Sequence, residues 1–188
     1  MADSVEVNKE LIVAQPLASG TGYSWTLASR LGMLLSSVEA LYGQRDRSFT
    51  ILGIEFHAGV PKVWFPNNCG NVIVQLSVSV LQDPGCALFQ LAHECVHLLD
   101  PAPGGTNNLE EGLATQFSLA PTSRYFSAGD AKYDASCALV RAMVAERPDA
   151  ARKLREIYGP WRCVTSDQIL DVCPNLSTDV ANQLAKPF

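Results

Sequence analysis

Leu91-Ala92-His93-Glu94-Cys95-Val96-His97-Leu98-Leu99 is the stretch on which the reading of this chain turns. Its centre, His93 to His97, has the HExxH spacing. On an α-helix, residues four apart share a face, so both imidazoles can reach one metal ion. Glu94 lies about 100° round from His93, placed to polarise a metal-bound water rather than to bind the metal. The flanks make the segment a helix. Asp83-Pro84-Gly85 offers an N-cap and a proline for the first helical position, no Gly or Pro follows from Cys86 to Leu99, and Asp100-Pro101 supplies the stop. Leu88, Leu91, Ala92, Cys95 and Leu99 recur on one side as a core-facing stripe, while Gln90, His93, Glu94 and His97 lie away from it. Cys95, about 200° from His93, faces the core and is not a ligand. The helix is therefore buried on one side and lines a site on the other.

Two histidines make an incomplete catalytic zinc site, which needs three protein ligands and an open fourth position. Asp100 to Asn108 is rich in Pro, Gly and Asn and reads as a loop. Beyond it, Asn107-Asn108-Leu109-Glu110-Glu111-Gly112-Leu113-Ala114 opens a second helix, capped by Asn107 or Asn108 and running to Phe117 or Ser118. Glu110 and Glu111 are both candidates for the third ligand. Each also has a bland reading, as the acid of a capping box or as a favourable charge in a first helical turn.

The pattern Leu91 to Leu99 followed by Glu111-Gly112-Leu113-Ala114 resembles the gluzincin metallopeptidases, in which HExxH is followed by a second helix bearing a Glu ligand, often within E-G-x-A. The resemblance covers Leu88 to Phe117. It implies that Glu111 is the third ligand, beside His93 and His97, to one zinc ion, with Glu94 as general base. It further implies that the chain hydrolyses peptide bonds in a peptide or protein substrate. Glu110 falls where larger aminopeptidase-like members often have Asn. Two departures from the thermolysin-like enzymes stand out. Only 13 residues separate His97 from Glu111, which suggests a minimal catalytic domain. Thr115 occupies the position of an Asp that orients a ligand His, so that contact must come from elsewhere, for example a backbone carbonyl or Asp100. For the oxyanion, the resemblance favours a donor downstream of the Glu helix. Tyr133 comes first and Tyr125 second, with Arg124 and His57 behind them, although His57, ending a strand before Gly59, reads better as a capping histidine.

Around these helices the order is helix, sheet, then helices. Thr26 to Tyr42 carries Leu27, Leu31, Leu34, Leu35, Val38 and Leu41 at helical spacing and ends at Gly43. Phe49 to Phe56, Val63 to Phe65 and Val72 to Ser79 read as strands. After a loop from Pro121 to Asp130, helices are expected over Ala131 to Arg147 and Asp149 to Tyr158, then two short ones at Ser166 to Asp171 and Leu176 to Lys186. The expected class is α+β: one compact domain over residues 1–188. It divides into a backing helix and small mixed sheet (1–82), the metal-binding helices (83–120) and a C-terminal helical part (121–188). The order is similar to zincin catalytic domains, in which a sheet edge beside the cleft holds the substrate as an added strand. Val63-Trp64-Phe65, between Pro61 and Pro66, is the candidate edge, set against an ordinary strand with a core Trp.

Composition narrows the function classes. With 47% hydrophobic and 18% charged residues, the 188-residue chain can bury a sizeable core and has no disordered signature. A formal charge of −5 without Lys/Arg clusters argues against a nucleic-acid partner. No apolar run reaches the length of a membrane span, and Met1 to Glu10 has no apolar core of a signal peptide, so the expectation is a cytoplasmic protein. Six cysteines (69, 86, 95, 137, 163 and 173) show no C-x-x-C spacing; reduced thiols are expected, with Cys163 and Cys173 the one pair to check for a bridge. Two other classes compete with a peptidase: a zincin-fold binding or regulatory module that holds zinc without hydrolysis, and a metal-free helical protein. Retention of Glu94 speaks against the first, because a structural site needs no general base.

Overall fold

A computed structural model describes residues 14–16, 19, 23–66, 70–81, 83–120 and 130–188, with 14–16 and 23–25 described by backbone alone. Met1 to Glu10, Cys69, Arg124 and Tyr125 lie outside the described residues. The class is α+β. Strands β1 (Ala14–Pro16) and β2 (Tyr23–Thr26) lead into helix α1 (Leu27–Tyr42), followed by β3 (Thr50–His57), β4 (Lys62–Trp64) and β5 (Asn71–Ser77). Helices α2 (Pro84–His97), α3 (Asn108–Leu119), α4 (Ala131–Glu146), α5 (Ala150–Tyr158), α6 (Ser166–Val172) and α7 (Thr178–Ala185) complete it, with 3-10 turns at Val78–Val80 and Trp161–Cys163. The short antiparallel pair of β1 and β2 has no counterpart in the sequence reading.

Local chemistry sets the helix ends. Thr26 and Ser29 cap α1 reciprocally, and the helix stops at Gly43, whose φ of 96° suits a residue without a Cβ. Asp83 accepts a hydrogen bond from the Cys86 N–H at 2.9 Å, and Pro84 occupies the first turn of α2. Asn107 caps α3 through the Glu110 N–H at 3.0 Å.

The three-stranded sheet has the order β3-β5-β4 and is mixed: β3 runs parallel to β5, and β4 antiparallel to it. Val72, Val74 and Leu76 alternate along β5 and are fully buried, giving the sheet an apolar face against which α1 and α2 pack. Val63 pairs with Val74 and so shares that face. β4 is an edge strand, paired among the described residues only with β5. Trp64, at 40% exposure, is not a core residue. The end of β5 is tied to α2 by the Ser77 N–H, which donates to Gln90 Oε1 at 3.1 Å.

α3 lies between α2 and α4. A Cβ on Gly112 would stand 2.4 Å from the Ser136 carbonyl oxygen and 2.6 Å from Val140 Cγ2 of α4, so the glycine is what lets α4 come so near. The C-terminal residues hold the front of α3: the Asn108 N–H donates to the Lys186 carbonyl and the Phe188 N–H to the Thr106 carbonyl, both at 3.0 Å. The described cysteines are free thiols, with Cys163 exposed and Cys173 buried, so these two form no bridge. No helix among the described residues is long and apolar enough to cross a membrane.

Candidate metal centre

α2 and α3 pack so that one donor atom from each of His93, His97 and Glu111 lies within 4.8 Å of the others. His93 Nε2 is 3.1 Å from Glu111 Oε2, and His97 Nε2 is 3.6 Å from Glu111 Oε1. Ligand atoms about 2.1 Å from one tetrahedral ion stand about 3.4 Å apart; the two separations, each to a different Glu111 oxygen, lie close to that value. Glu111 is 6% exposed and is steered by Thr106, whose hydroxyl donates to its Oε1 at 2.6 Å. Burial alone would raise the Glu111 pKa, but the His93 hydrogen bond, the charges of His97 and His93 and the Thr106 hydrogen bond bring it down to about 2. His97 shows the complement. Burial would lower its pKa, yet the hydrogen bond it donates to Glu110 and the charges of Glu111, Glu110 and Glu94 raise it to about 9.

Glu94 is buried beside this group at 4% exposure. Burial raises its pKa, reinforced by the charge of Glu111 and opposed by those of His97 and His93 and by the Val63 backbone N–H. β4, the edge strand, thus lies against Glu94. The cleft has a volume of about 160 Å³ and is lined by Pro61, Lys62 and Val63 on the strand side and by Pro101, Ala102 and Gly104 of the α2–α3 loop, with Tyr133 and Arg162 also in its wall. Tyr133, in the first turn of α4, sets its ring edge-on to His93 at 5.6 Å between centroids. Burial, then the charges of Glu111, Glu94 and Asp130, push its phenol up to about 12.

All five residues picked out from the sequence, His93, Glu94, His97, Glu111 and Tyr133, line this cleft. His57 does not. Its Nε2 lies 2.6 Å from the Val60 carbonyl and its Nδ1 accepts from the Gly59 N–H, so it caps the β3–β4 turn. Cys95 is fully buried, facing the core. The contact that orients His97 comes from neither Asp100 nor a carbonyl: its Nδ1 lies 2.8 Å from Glu110 Oε1. Asp100 is held instead by Arg155 of α5. Thr115 is buried, its hydroxyl has no hydrogen-bond partner among the described residues, and it orients neither histidine. The sequence reading missed Thr106 and Arg162 and treated Glu110 only as a rival ligand or cap. One signal was present: adjacent acids leave a helix about 100° apart, so if one reaches the histidine Nε2 atoms, the other must point elsewhere.

The charge of the site fits a divalent cation. Glu94, Glu110 and Glu111 are 4%, 2% and 6% exposed, and among the described residues the one cation buried with them is Arg162, with 13% of its side chain exposed. Were all three carboxylates ionised and both imidazoles neutral, one guanidinium would leave two negative charges, a costly deficit in a desolvated place. The raised His97 pKa expresses the same demand, a proton standing where a cation would. Comparison with family models, with curated proteins and with solved structures finds no match for this chain.

Proposed function

We propose that this chain is a zinc-dependent metallopeptidase of the compact gluzincin type, acting on a peptide or protein substrate from a zincin-like α+β scaffold. The convergence of His93, His97 and Glu111, with Glu94 buried beside them, carries the reading. Two imidazoles and one carboxylate are a donor set that suits zinc and leaves a position open. The ion would supply Lewis-acid polarisation of a water and of the scissile carbonyl.

The remaining work falls to the chain's own side chains. Glu94 sits next to the ligands without being one, and its raised pKa suits a group that takes a proton from water and returns it to a leaving amine. Tyr133 keeps its proton at any ordinary pH, so its phenol is a donor available to a developing oxyanion. β4 exposes a strand edge beside Glu94, onto which an extended peptide can add by main-chain hydrogen bonds.

The test is Glu94→Gln beside wild type, with zinc content by elemental analysis and hydrolysis of a mixed peptide library. One zinc per chain is expected in both, with turnover in the variant lower by about 10²- to 10⁴-fold. Equal turnover would refute the role of Glu94. One zinc with no cleavage in wild type would turn the reading to a zinc-holding binding or regulatory module, and no zinc in wild type would refute the metal centre.

A further inference from the structure

Behind the three ligands lies a second pair of buried charges that the peptidase reading does not use. Glu110 directly precedes Glu111 and is 2% exposed. Its side chain does not complete a capping box: Asn107 takes the Glu110 N–H, but the Glu110 carboxylate turns to His97. Glu110 Oε1 accepts twice, from His97 Nδ1 at 2.8 Å and from Arg162 Nη2 at 2.7 Å, while its Oε2 is buried with no partner among the described residues. A half-satisfied buried carboxylate is an expensive feature that a purely structural core would replace with an aliphatic side chain.

Arg162 arrives from far along the chain, 52 residues after Glu110, and is fixed just as firmly. Its Nη2 also donates to the Asp100 carbonyl at 2.8 Å and its Nη1 to the Ala102 carbonyl at 3.3 Å, so the α2–α3 loop holds the guanidinium. The turn that carries it is anchored through Trp161. The Trp161 Nε1–H donates to the Ala151 carbonyl and the Trp161 carbonyl accepts from Asn107 Nδ2, both at 2.8 Å. Asn107 is the cap of α3, so the support for Arg162 and the start of the Glu111 helix are one assembly.

Resting on the metal-centre reading, we propose that Glu110 and Arg162 are positioning residues for the metal. Glu110 holds His97 by Nδ1 so that Nε2 faces the ion. Arg162 cancels the charge of Glu110, so the carboxylate steers the ring without adding an uncompensated negative charge beside the ion. Carboxylate–histidine–metal arrangements of this kind fix ring orientation and raise ligand basicity. Here the carboxylate is neighbour to the metal-binding carboxylate itself, and its counter-ion is a wall of the substrate cleft. Each partner leaves the other buried and unpaired when it is removed, so the two are energetically coupled.

The experiment measures zinc dissociation constants by chelator competition for wild type, Glu110→Gln, Arg162→Gln, Arg162→Lys and the Glu110→Gln/Arg162→Gln double variant. The visible spectrum of each cobalt-loaded protein and the melting of each metal-free protein are recorded alongside. Glu110→Gln and Arg162→Gln should each weaken zinc about 10- to 100-fold and shift the cobalt bands. The double variant should be no weaker than the worse single one, and Arg162→Lys, which keeps the cation, should recover most of the affinity. A folded Glu110→Gln protein with wild-type zinc affinity and an unchanged cobalt spectrum would overturn the proposal. So would additive losses in the double variant, or an Arg162→Lys protein as weak as Arg162→Gln. Failure of the wild type to bind zinc would instead overturn the metal-centre reading beneath it.

Discussion

Replacing Gly112 by alanine tests whether the helix that carries Glu111 and the helix that carries Tyr133 are as close as the site requires. The new Cβ would meet the Ser136 carbonyl oxygen at 2.4 Å, against 3.4–4 Å for an ordinary contact. α3 and α4 must therefore separate by about 1 Å, and the obstacle is backbone, which cannot swing aside as a side-chain tip can. Overpacking of this kind costs about 3 kcal/mol, the upper part of its usual range. Alanine in place of glycine within a helix returns about 1 kcal/mol, so the net loss is about 2 kcal/mol. For a domain of this size that lowers Tm by about 4–8 °C. Tyr133 lies one turn before Ser136 on α4 and moves with it, away from His93. Differential scanning calorimetry of the metal-free proteins is the assay, with Gly32→Ala in α1 as the control, because a Cβ there meets nothing within 4 Å. Gly32→Ala should melt at or slightly above wild type. A Gly112→Ala protein that does the same would refute the close approach, and with it the placing of Tyr133 beside His93.

Two further outcomes follow from the site. Tyr133→Phe keeps the ring that contacts His93 and Phe188, so zinc content should be unchanged while turnover falls by about 10²- to 10³-fold; unchanged turnover would reduce Tyr133 to a cleft wall. In the metal-free protein, His97, raised from 6.5 to about 9, contributes stability that is fully present below pH 6.5 and lost as pH rises through 9. Glu111, lowered from 4.5 to about 2, contributes stability present above pH 4.5 and lost as pH falls through 2. The urea midpoint should therefore be highest between those windows and fall on the alkaline side. A midpoint flat from pH 6.5 to 9 would contradict the coupling of His97 to its carboxylates.

The sequence made α2, α3 and their caps legible because those signals are local: Asp83 before Pro84 and Asn107 before two acids; the one-sided apolar stripe understated α2, which is buried all round from Leu91 to Val96. β3, β4 and β5 were legible for the same reason, as short apolar runs bounded by Gly, Pro and Asn. What stayed hidden depends on long side chains that reach across the fold. Asp100 looked free to orient a histidine, and nothing within a few residues of it shows that Arg155 takes both of its carboxylate oxygens. Likewise no spacing rule links Arg162 to Glu110. β1 and β2 (Ala14-Gln15-Pro16 and Tyr23-Ser24-Trp25-Thr26) hold no run of adjacent apolar residues, unlike β4, which is just as short.

Three successive residues of α3 explain why so small a helix can organise the site. Steps of about 100° send Glu110, Glu111 and Gly112 in three directions: toward His97 Nδ1 and Arg162, toward the histidine Nε2 atoms, and against α4. The glycine after Glu111 is then a packing requirement rather than a hinge. A helix that turns two carboxylates inward needs its third face pressed against a neighbour that shields them from water, and any side chain at 112 would hold that neighbour off. Shielding makes the carboxylates costly, and that cost is what gives the site its demand for positive charge. The same three positions that bury the acids therefore create the electrostatic condition for holding a divalent ion.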